Sequence, residues 1–83
     1  PIANHPGYRI YHYVWPGIAI AGKTVKIDKA ITVPNGYALA GALLTPRANT
    51  YIAISWIDGY VYVHSTDYTG NFLYDIFLIV YPN

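Results

Sequence analysis

YIAISWIDGYVYVHS, residues 51–65, sets two alternating apolar runs on either side of a single Asp58-Gly59 pair. Asp-Gly between alternating hydrophobics is the signature of a two-residue type I′ turn, whose left-handed backbone these two residues accept. Such a turn fixes register. Counting outward pairs Ile57 with Tyr60, Trp56 with Val61, Ser55 with Tyr62, Ile54 with Val63, Ala53 with His64 and Ile52 with Ser65. Cross-strand partners share a face, so the hairpin sorts into two surfaces. One carries Ile52, Ile54, Trp56, Val61 and Val63 and reads as core. The other carries Tyr51, Ala53, Ser55, Ile57, Tyr60, Tyr62 and His64. Its rings are apolar in body and polar at the tip, which suits a partly wet boundary.

The rest of the chain is punctuated in the same way. Pro16-Gly17, Gly22, Pro34-Asn35-Gly36, Pro46 and Gly70-Asn71 separate β-branched and aromatic runs of strand length, and helical periodicity is nearly absent. Strands are expected at 8–15, 17–21, 23–28, 30–33, 37–45, 50–57, 60–66 and 72–81. The expected fold class is all-β, a compact antiparallel sandwich or barrel of about seven to eight short strands. Two runs bear on assembly. FLYDIFLIVY, residues 72–81, is apolar on both faces apart from Asp75, so Phe77 and Ile79 are expected to meet a second layer or a second chain. In YALAGALLT, residues 37–45, Ala38, Ala40 and Ala42 are expected to line one small-residue face that permits close approach of a neighbouring copy.

Composition points the same way. An 83-residue chain makes one domain near the margin of independent stability. It has no Cys for a disulfide and no ligand cluster for structural zinc, which leaves oligomerisation as the available staple. Charged residues are 11% of the chain, against roughly 25% in an average soluble domain, and there is no Glu or Gln. A surface so poor in charge is expected to be covered in part by other copies of the chain. A net charge of +1 without a clustered basic stripe argues against a nucleic-acid footprint. No apolar run reaches the about 18 residues of a membrane span. The start at Pro1, without Met or a signal-like segment, reads as a piece of a longer protein.

Candidates for chemistry are few. Of the four Asp, Asp58 belongs to the hairpin turn and Asp67 to the turn in STDYTGN, while Asp28 has no Glu or paired Asp for acid–base work. Asp75, mid-strand, reads as an acid paired with a Tyr, Lys or Arg, or as an acceptor for a sugar hydroxyl. His64 and Ser65 point to opposite faces and make no dyad. His5, His12 and His64 lack a shared spacing for a metal, and no cofactor is implied. Flat rings beside hydrogen-bonding groups suit a saccharide, which nominates Tyr51, Tyr60, Tyr62 and His64, with Trp15 beside the Pro16-Gly17 turn. For Tyr60 and Tyr62 a subunit interface remains the competing reading.

The segment GKTVKIDKAITVPNGYALAGALLTP, followed by NTYIAISWIDGYVYVHSTDYTGNFLYDIFLIVYPN, resembles the C-terminal receptor-binding head domain of bacteriophage tail-fibre and baseplate proteins. The features that carry the resemblance are VPNGY at 33–37, the small-residue strand after it, the DG hairpin, YTGN at 68–71 and the last β-rich strand. It covers residues 22–83 and leaves 1–21 as an extension after a shaft or neck. The resemblance implies a homotrimer on the virion surface that binds a host cell-surface saccharide without catalysing a reaction. A purely structural virion or adhesin module and a free-standing lectin are the alternatives.

Overall fold

A computed structural model describes residues 7–83 of the chain. His5, one of the metal candidates, lies outside them. Six strands follow one another: β1 Arg9–Ala19, β2 Thr24–Ala30, β3 Tyr37–Arg47, β4 Ile52–Ile57, β5 Tyr60–Ser65 and β6 Gly70–Pro82. They form two three-stranded antiparallel sheets, sheet A in the order β1-β6-β3 and sheet B in the order β2-β5-β4. Every connection except the β4–β5 hairpin carries the chain from one sheet to the other. β6 is 13 residues long and, at about 3.3 Å per residue, is comparable in length with the 43 Å longest dimension of the molecule.

The hairpin has the expected register at all six pairs. Asp58 and Gly59 have φ of 51° and 85°, the left-handed pair that a type I′ turn requires. Its core face packs as read, with Val61 and Val63 fully buried, Ile52 nearly so, and Ile54 and Trp56 partly buried against them.

Two expected strands are corrected, which takes the count from seven or eight to six. Residues 17–19 continue β1 straight through Pro16-Gly17 instead of starting a new strand, and residues 20–21 lie beyond its end. A proline lacks the N–H that a ladder uses, but an edge strand tolerates it. Pro16 in β1 and Pro46 in β3 occupy the two edges of sheet A. Gly17 faces inward opposite Phe72, where a Cβ would lie 2.8 Å from the Phe72 ring and 3.1 Å from that of Tyr74. The glycine therefore serves packing rather than turning. Residues 30–33 form no strand of their own: β2 slips register after Lys26 and runs to Ala30, and residues 31–33 lie outside any strand. Ile31 drops into the core there, and its N–H donates to the Gly59 carbonyl at 2.7 Å.

The central strands supply most of the core. β6 buries Phe72, Tyr74, Ile76, Leu78 and Val80 on its inner face, and these join Val61, Val63 and Ile52 of sheet B in one cluster with Ala19 and Ile31. At roughly 1.5–3 kcal/mol per fully buried large aliphatic, this cluster is the main favourable contribution to folding. Where β5 leaves sheet B for β6, buried Ser65 donates to the Tyr68 carbonyl at 2.6 Å and the Tyr68 hydroxyl to the Asn71 carbonyl at 2.7 Å. Those two side chains tie the STDYTGN turn, in which Asp67 also lies.

The small-residue face is also corrected. β3 slips against β6 between Leu39 and Gly41, so Ala38 lies beside Tyr81, Ala40 falls at the slip, and Ala42 lies beside Leu78. Tyr81 and Leu78 are on opposite faces of β6, and a bulge of this kind reverses which alternate residues point inward. No continuous alanine face exists. After the slip, Gly41, Leu43, Thr45 and Arg47 share the outer face of sheet A with Phe77 and Ile79.

Candidate functional site

β5 is the centre of sheet B, and its outward residues Tyr60, Tyr62 and His64 come at every second position, so successive rings stand about 7 Å apart. The flanking strands add hydrogen-bonding neighbours. Thr24 pairs with His64, its hydroxyl 3.2 Å from Nδ1, and Ser55 and Lys26 flank Tyr62 on either side. The Lys26 ammonium stands 4.1 Å from the centroid of the Tyr60 ring, a cation–π contact. Tyr60 and Tyr62 are half-buried and His64 is exposed, while Tyr51, just before β4, is 69% exposed. The structure thus brings Tyr60, Tyr62 and His64 together on one surface.

Trp15 is not part of it. The proposed loop-edge ring sits in the middle of β1, opposite Tyr74 on the inner side of sheet A, and packs edge-on against it at 6.3 Å. Lys29 covers it from β2 at 4.3 Å. The Pro16-Gly17 pair that suggested a loop is strand, so the ring is carried into the edge of the core. Trp15 instead lines a hollow of about 360 Å³ with Tyr13, Lys29 and Thr32. A second, more open groove of about 740 Å³ lies between the end of β1, the middle of β2 and the start of β6, floored by Pro16, Ile18, Ile27, Phe72 and Leu73. Nothing in the sequence marked it, since it depends on β1 and β2 becoming neighbours.

The outer face of sheet A is different in kind. Ile10, Val14, Ile18, Leu43 and Leu73 all point outward there and remain exposed, around half-buried Phe77 and Ile79. Asp75 lies among them and takes the paired reading. Arg47 donates from Nε to Oδ2 at 2.9 Å and from a terminal nitrogen to Oδ1 at 2.8 Å, and His12 Nε2 donates to Oδ1 at 2.8 Å. These bonds, Arg47 first and His12 second, hold the Asp75 carboxyl well below the usual carboxylate range. The His12 ring lies flat on Phe77, centroids 4.5 Å apart.

Two buried polar atoms, Trp56 Nε1 and the Tyr74 hydroxyl, have no hydrogen-bond partner among the described residues. Burial pushes the Tyr74 phenol up to about 12, so it stays protonated at ordinary pH. Among the described residues no group of three or more His, Cys, Asp or Glu comes together to hold a metal, and no helix is long and apolar enough to cross a membrane. Family models, curated proteins and solved structures give no match to this chain.

Proposed function

We propose that this chain is a non-enzymatic recognition module that binds a host cell-surface saccharide as a homotrimer, in the manner of the head domain of a phage tail fibre or baseplate, exposed at the virion surface. The observation that carries the reading is the outward set Tyr60, Tyr62 and His64 on the central strand of sheet B, flanked by Thr24, Ser55 and Lys26. Rings that stack on the apolar face of a pyranose, beside groups that bond its hydroxyls, are what saccharide recognition needs. The β-sandwich architecture of such heads is compatible with two antiparallel sheets sharing one core. The Lys26 ammonium over Tyr60 favours the structural alternative for that one ring, since it already occupies part of its face.

The test is a glycan array followed by titration of any retained glycan. Tyr62→Ala is expected to abolish binding while the assembly stays intact. Absence of any glycan bound at millimolar concentration counts against recognition. Loss of assembly in Tyr62→Ala assigns the tyrosines to packing instead.

A further inference from the structure

We infer that the outer face of sheet A is the surface on which a second copy of this chain seats, closing over the His12–Asp75–Arg47 cluster. The inference rests on the homo-oligomer reading above and names the surface that carries it. Among the described residues ten large hydrophobics are exposed; Ile10, Val14, Ile18, Leu43 and Leu73 share this one face, whereas the outer side of the β4–β5 hairpin exposes only Ile57, with Tyr51 beside it. With half-buried Phe77 and Ile79 they make an apolar patch on the order of 500 Å², at the upper end of what a monomer displays and well toward the about 800 Å² that each partner gives to a standard interface.

The charges on the face are compatible with an apolar occupant. A buried ion is costly unless its partners travel with it. Here both Asp75 oxygens are already taken by Arg47 and His12 of the same chain, and the Asp75 side chain is only 14% exposed. A covering surface needs to supply no counter-charge to the carboxylate, while the Arg47 side chain, 52% exposed, reaches the rim of the cluster. The His12 ring stacks on Phe77 within the same face, and its side chain is 44% exposed. An apolar surface whose acid is internally satisfied is complementary to another surface of the same kind, which a second copy provides.

Light scattering over a range of protein concentrations, with three variants, tests this. Wild type is expected to run as a multiple of the 9.3 kDa chain. Leu43→Asp, at a position 56% exposed, is expected to give the single-chain mass with an unchanged β-sheet circular dichroism spectrum, as is Ile10→Asp, at 65% exposed, should Leu43→Asp fail to fold. Ile57→Asp, on the outer face of sheet B, is expected to leave the oligomer whole. A wild type that is a single chain at every concentration overturns the homo-oligomer reading, and the inference with it. An oligomer that survives both sheet A variants, or dissolves in Ile57→Asp, overturns only the choice of face.

Discussion

Sheets A and B are built alike and finished differently. Each has three antiparallel strands, a central strand that buries its inner face, and an outer face turned away from the core. Outside, sheet A carries aliphatics around one internally neutralised acid, while sheet B carries Tyr60, Tyr62 and His64 with hydroxyls and a lysine. An aliphatic face gains by being dried and reads nothing; a face of rings with polar tips gains from a ligand that offers both stacking and hydrogen bonds. On the reading proposed above, the contrast gives assembly to sheet A and recognition to sheet B, two roles that compete for the same tyrosines in the sequence.

The inner faces should be equivalent, and the largest expected effect tests that. Trp56→Ala, at the inner face of sheet B, should cost about 3 kcal/mol in chemical denaturation at matched protein concentration, the low end for a large ring because Trp56 is only partly buried. A loss under about 0.5 kcal/mol, the range of a surface change, would move Trp56 out of the core. Next is the buried hydroxyl of sheet A. Tyr74→Phe keeps the ring, removes a polar atom without a partner, and should raise stability by about 1 kcal/mol; a loss of similar size would reveal a bond to that hydroxyl. The smallest effect belongs to the outer face of sheet A and is read as a titration. Because the folded Asp75 carboxyl sits below its unfolded value of about 3.9, its contribution is complete at neutral pH. That contribution is lost only as pH falls below about 4 toward the folded value. Carboxyl NMR shifts should show Asp75 still ionised in that window and moving back toward the ordinary range in Arg47→Ala. An unmoved titration would remove Arg47 as its cause.

What could be read in advance was what local chemistry decides. The Asp58-Gly59 turn commits both flanking strands at once, so the six pairs and the two faces of the hairpin follow from five or six residues on each side. What could not be read depends on partners far along the chain. Gly17 looks like a turn residue until Phe72 and Tyr74, more than fifty positions later, need the space a side chain would fill. Trp15 went wrong with it. The alternation in YALAGALLT gives no sign of the slip at Ala40, because small residues fit either face and do not hold register. Asp75 was recognised as an acid in need of partners, but Arg47 and His12 reach it from different strands, 28 and 63 residues away. Of the candidate site, Tyr60, Tyr62 and His64 were legible through the hairpin; the Lys26, Thr24 and Ser55 setting required β2 to be placed beside β5 for the first two, while Ser55 came with the turn.

The prolines on the borders of sheet A bear on more than strand count. A chain this apolar and this short of charge is a candidate for open-ended stacking, in which an unpaired strand edge templates another molecule and growth never closes. Pro16 and Pro46 interrupt the row of donors on β1 and β3, the register slip in β2 distorts one border of sheet B, and β4, the other, is six residues long. With these edges interrupted, edge-to-edge pairing is disfavoured, and on the reading proposed above contact between copies falls to the broad faces. Pro16, whose place beside Gly17 hides the course of β1 in the sequence, is thus also a residue that disfavours edge-to-edge growth.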